Sequence, residues 1–85
     1  MKEIFDLLLG AGAQSAEEVA CSDEYLFIDV STKSLGEIIG SGLLDDPTVL
    51  VEDLGYDAVI SFNLPAGFSS GGRTPKTAIL GVNLT

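Results

Sequence analysis

The sequence predicts a small single α+β domain over residues 1–85, with two short helices packed on one face of a mostly antiparallel sheet of about four strands. Three observations lead there. Apolar residues recur at helical spacing in two stretches of the first half, and they alternate with other residues in the last third. The order along the chain is helix, strand, helix, then three strands.

From Lys2 to about Ala13, the residues Ile4, Phe5, Leu8 and Ala11 share one helical face, and Gly10 or Gly12 ends the helix. Ser15 followed by Glu18 fits a capping box, which predicts a short further turn of helix through Ala20. Tyr25–Val30 is rich in aromatic and branched residues and reads as a strand. Its Leu26, Ile28 and Val30 lie on one side, and Tyr25, Phe27 and Asp29 on the other. Ser34 with Glu37 repeats the capping box, and Leu35, Ile38, Ile39 and Leu43 give an apolar face to a helix over Leu35–Leu44. Within it, Gly36 and Gly40 share a side where another backbone would have room to approach.

Asp45, Asp46 and Pro47 break that helix, and Thr48–Glu52 reads as the next strand. After a turn at Asp53–Tyr56, the alternation of Ala58, Ile60, Phe62 and Leu64 predicts a strand over Asp57–Leu64. That of Ala78, Leu80, Val82 and Leu84 predicts another over Thr77–Leu84. These two strands are expected to pair as a hairpin with a long loop, the last of them being a candidate sheet edge where another chain would add.

Composition excludes more chemistry than it supports. The chain has no histidine and a single cysteine, Cys21. It therefore has no Ser/His or Cys/His nucleophile pair, no intrachain disulfide and no cysteine zinc site. Cys21 is expected to be an inert, semi-buried thiol. No apolar run reaches the length of a membrane helix, and Glu3 and Asp6 make the N-terminal run amphipathic rather than a secretion signal, although it resembles one in length. A reducing intracellular compartment or a virion is expected as the location.

The net charge of −9 is unevenly spread. Residues 1–57 hold all thirteen acids with Lys2 and Lys33, whereas residues 58–85 hold no acid and carry Arg73 and Lys76. Such an acidic surface repels nucleic acid phosphates and anionic membranes, so neither is expected as a partner.

Several short stretches resemble functional motifs and depart from them at the atoms that matter. EDLGYDA, residues 52–58, is similar to the attachment motif of acyl carrier proteins, where Asp-Ser-Leu follows Leu-Gly and the serine carries phosphopantetheine. Asp57 matches, but Ala58 stands at the serine position and has no oxygen to modify. A strand pattern also follows where the family has a long helix. Gly10 and Gly12 follow a predicted helix rather than a strand, which removes the mechanism of a dinucleotide loop. Ser69-Ser70-Gly71-Gly72 resembles a double-glycine cleavage site but has Ser69 where an apolar residue belongs.

The loop Ser69–Thr77 gathers Arg73 and Lys76 with glycines and hydroxyls, yet lacks the glycine spacing of a Walker loop. It reads first as a hairpin connection. The acidic pairs Glu17-Glu18, Asp23-Glu24, Asp45-Asp46 and Glu52-Asp53 lack calcium-loop spacing and read as solvated element ends. No catalytic, metal or cofactor residue is expected.

The expectation is therefore a non-enzymatic assembly or protein-interaction subunit, such as a structural or decoration component of a virus-like or other homo-oligomeric assembly. Its partners would be other protein chains, first of all copies of itself. Arg73 and Lys76 on one side and Asp45, Asp46, Glu52 and Asp53 on the other are the expected contact residues, opposite charges meeting between copies. The alternative is an acidic nucleic-acid mimic that inhibits a DNA- or RNA-binding protein.

Overall fold

The structure, a computed structural model, describes residues 4–42, 44–51 and 54–85. Two short helices, α1 (Ile4–Gly10) and α2 (Leu35–Gly40), accompany five strands: β1 (Ser15–Cys21), β2 (Tyr25–Thr32), β3 (Asp45–Leu50), β4 (Ala58–Asn63) and β5 (Thr77–Leu84). The strands form one sheet in the order β1-β2-β5-β4-β3. Three neighbouring pairs are antiparallel, and the central pair, β2 with β5, is parallel. The α+β class holds, but the sheet is mixed and has one strand more than expected.

The extra strand is β1, which replaces the expected helical turn at Ser15–Ala20. Its local capping signal is overridden by pairing with β2, Ser15 lying opposite Ser31 and Cys21 opposite Leu26. Ser22 makes the connecting turn, its hydroxyl accepting the N–H groups of Glu24 and Tyr25, both at 3.2 Å. Hardly any of β1 is buried, so the strand leaves no apolar alternation in the sequence.

The core lies between the helices and one face of the sheet. Register places Ile28, Leu80 and Ile60 side by side across β2, β5 and β4, and all three are fully buried. Leu26, Ala78 and Phe62 form the neighbouring row, and Ile4 and Leu8 of α1 with Ile38 of α2 close over them. The alternation read in β2, β4 and β5 thus places the expected apolar set on the core face, except at Leu84, which is about half exposed.

α1 ends at Gly10, one of its two expected stops, and α2 is shorter than expected. The first described residue of α1 is Ile4, so the expected start at Lys2 lies outside the described residues. α2 stops at Gly40 instead of Leu44, and Leu43 of its expected apolar face lies outside the described residues. Ser34 does stand at the N-cap with an extended backbone, but its side chain makes no capping bond. Its N–H is instead donated to the hydroxyl of buried Thr32. Glu37 does not complete the box, because its carboxylate lies over Gly12. Among the described residues no other element's backbone comes within 4 Å of a Cβ built at Gly36 or Gly40, so no close backbone approach uses their shared side.

β3 begins at Asp45, earlier than expected, and takes Pro47 into its span. That is tolerated because β3 is an edge strand with a register shift between Asp45 and Thr48. Asp46 there has a φ of 53°, a conformation that aspartate accepts more readily than most residues. β4 and β5 pair as the expected hairpin, Ala58 opposite Val82 and Asn63 opposite Thr77.

Candidate interaction surfaces

The strand Thr77–Leu84 lies at the centre of the sheet, which corrects its reading as an edge open to another chain. The true edges are β1 and β3. β1 carries Glu17 and Glu18 next to a register shift, and β3 carries Asp45, Asp46, Pro47 and a shift of its own. Charges, proline and bulges on edge strands are the devices that discourage strand addition. Neither edge strand is therefore open to simple strand addition.

The end where β2 and β5 begin carries the cationic loop, residues 64–76. Arg73 reaches Asp23 of the β1–β2 turn at 3.8 Å, with both side chains largely exposed. Ser70 ties the loop to the same hairpin, its hydroxyl donating to Glu18 at 3.4 Å and its carbonyl accepting the Cys21 thiol at 3.8 Å. Cys21 is a half-buried free thiol. Because Asp45 lies opposite Asn63 in register, Asp45 and Asp46 share this end with Arg73 and Lys76. Folding thus brings together at one end charges that the sequence keeps apart. Glu52 and Asp53 lie outside the described residues.

Beneath the same loop opens a cavity of about 520 Å³. Leu64, Pro65, Phe68 and Pro75 give it apolar walls, with Asn63 and the exposed Lys76 at its margin. Lys76 is the polar feature that the sequence singled out. Of the apolar walls, Leu64 closes the expected strand Asp57–Leu64, whereas Pro65, Phe68 and Pro75 belong to the stretch expected as a loop.

The opposite end of the sheet, where β3 and β5 finish and β4 starts, is apolar. Val51 is fully exposed, and Val49, Leu54 and Leu84 are about half exposed. Asp57 accepts the N–H of Leu84 at 2.8 Å, which holds the β3–β4 connection against the end of β5. Val51 falls in the expected strand Thr48–Glu52 and Leu54 in the expected turn Asp53–Tyr56, so neither reading marks them as one apolar surface; a large apolar side chain within the turn is the available signal.

The sheet face away from the helices carries Phe27 and Asp29 of β2, Gly81 and Asn83 of β5, and Tyr56 from the β3–β4 connection. Tyr56 lies flat over Gly81: a Cβ built there would stand 2.6 Å from the ring. Its ring centroid is 5.8 Å from that of Phe27. Asn83 donates to Asp29 at 2.7 Å, and the Tyr56 hydroxyl bonds to the same carboxylate. Asp29 is thus held by an amide and a phenol. A glycine inside a strand, with a tyrosine in a preceding turn, was the sequence signal for this contact.

Desolvation, then the negative charge of Asp29 and the hydrogen bond to it, hold the Tyr56 phenol above its ordinary value. The folded state therefore keeps this proton more tightly than the unfolded chain. Its contribution to stability is complete below the ordinary tyrosine value of about 10 and is lost as pH rises through the higher folded value. Tyr56→Phe should flatten the alkaline fall of the urea midpoint, and an unchanged fall would assign it to other groups.

Among the described residues no three His, Cys, Asp or Glu side chains converge as metal ligands would, and no helix is long and apolar enough to cross a membrane. No protein-family model, curated protein or solved structure matches the chain.

Proposed function

We propose that the chain is a non-enzymatic interaction subunit that assembles with copies of itself, as a structural or decoration component of a virus-like or other homo-oligomeric particle would. The observation that supports this is the gathering of Val49, Val51, Leu54 and Leu84 at one end of the sheet, four of the seven large apolar side chains exposed among the described residues. A cluster of exposed large apolar side chains marks a surface that another protein covers.

The fold changes how charge enters. Arg73 already has Asp23 as an internal partner, and Lys76 shares its end of the sheet with Asp45 and Asp46. A chain of net charge −9 repels its copies, while apolar burial draws them together. Salt screens the repulsion, with a Debye length of about 10 Å at 0.1 M, and leaves the burial intact. Sedimentation velocity at micromolar concentration should show species above the 8.8 kDa monomer, with their fraction increasing from low to high salt. Monomer alone at every salt concentration would sink the proposal. Salt-weakened binding to a basic protein, with no self-association, would instead favour the acidic mimic.

A further inference from the structure

We infer that the sheet face away from the helices is a twofold interface between two copies, a surface separate from the apolar end; this rests on the self-assembly reading above. Register sets one row across all five strands on that face: Ala20, Phe27, Ile79, Ser61 and Thr48, running from β1 to β3. Ala20 and Thr48 are exposed, and Phe27, Ile79 and Ser61 are half-buried. The helices pack against the opposite face, and Tyr56 stands over Gly81 in the next row.

Charge singles out this row. None of its five residues is charged, in a chain with thirteen acids and four cations. Acids stand at its margins: Glu17 opposite Asp29 towards one end of the strands, and Asp45 opposite Asn63 at the other. Two copies of net charge −9 repel wherever their acids meet, so the sheets approach with least opposition along a row that carries none. An uncharged centre that holds an aromatic ring, inside a charged border, is also the composition of an interface core and its rim.

The row is complementary to itself, which selects a second copy as the occupant. β5 lies at the middle of the sheet. With two sheets face to face about 10 Å apart, a half-turn about the β5 direction sets Ile79 against its own copy and Phe27 of β2 against Ser61 of β4. A large ring then meets a small side chain twice in each dimer, as an isologous contact requires. Five strands about 4.8 Å apart, with about six residues of 3.3 Å each, present roughly 500 Å² per copy. The pair thus buries about 1,000 Å², the least that a specific interface needs.

Charge-swapped variants test this contact. Ile79→Lys and Ile79→Glu each set like charges across the twofold axis. Each alone should self-associate about tenfold or more weakly than the parent in sedimentation at moderate salt, and an equimolar mixture should recover the parent's association. Circular dichroism and a cooperative urea transition check that each variant is folded. Thr77→Lys and Thr77→Glu, two residues away on the same strand and face, repeat the test if an Ile79 variant unfolds.

If the parent associates and the folded variants associate equally well, this face is not an interface, while self-assembly stands through another surface such as the apolar end. Variants that weaken association without recovery on mixing assign the face to a different partner surface and overturn the twofold contact. A parent that stays monomeric at every salt concentration defeats both readings.

Discussion

Leu80→Ala should lower the urea midpoint more than any surface substitution considered above, at a cost of about 2–5 kcal/mol. Leu80 is fully buried in the central strand, with Ile28 on one side and Ile60 on the other, both equally buried. Truncation there opens a void between two strands whose positions are fixed by hydrogen bonding, so neighbours have little room to collapse into it. In a domain of this length each kcal/mol moves the melting temperature by about 4–8 °C, so a fall of roughly 10 °C or more is expected. The slope of the urea transition should stay the same, since the surface exposed on unfolding hardly changes. A midpoint within error of the parent's would mean that this row is not the centre of the core.

Gly81→Ala should have the next largest effect, about 1–3 kcal/mol, although it adds a single methyl group. The methyl would sit 2.6 Å from the Tyr56 ring, which must leave. Leaving separates the ring from Phe27 and its hydroxyl from Asp29. A second readout separates this mechanism from ordinary overpacking: the Tyr56 phenol, released into water, should titrate back towards the ordinary tyrosine value. Absorbance titration of Gly81→Ala against the parent measures it. A destabilised variant with unchanged phenol titration would show that the ring is not what the methyl strikes.

What the sequence revealed follows from burial. β2, β4 and β5 were legible because their core-facing rows repeat every second residue, and β5 was read to both of its ends. β1 was not, because an edge strand exposed over most of its length has no apolar row to show, and Ser15 and Glu18 imitate a helix start. Pro47 misled in the same way, since only the partner strand reveals that β3 is an edge. The central place of β5 lay beyond any local pattern, because it depends on a parallel partner more than forty residues away.

The candidate contact residues divide similarly. Arg73 and Lys76 were legible from charge, whereas their nearness to Asp23, Asp45 and Asp46 arises from the order of strands. Leu54 and the stacked Tyr56 belong to a connection, where local periodicity carries no information, and Val51 lies in the expected strand Thr48–Glu52, whose pattern does not show that the residue is exposed.

The parallel pairing of β2 with β5 also has a consequence in time. β5 is the last of the five strands in chain order, and it alone joins the β1–β2 hairpin to the β4–β3 pair. During synthesis, β2 is made long before the strand that completes it, and its inner edge waits unpaired while the intervening residues are added. Contacts this distant in sequence form slowly, and until they form the exposed edge can bind whatever strand is nearby. The acids and bulges of β1 and β3 guard the finished sheet, whereas β2 carries a single acid, Asp29, and no bulge along its pairing with β5. A newborn chain of this protein is therefore most vulnerable to mispairing in the interval before residues 77–84 arrive, and a chaperone that occupied Tyr25–Thr32 would act in that interval.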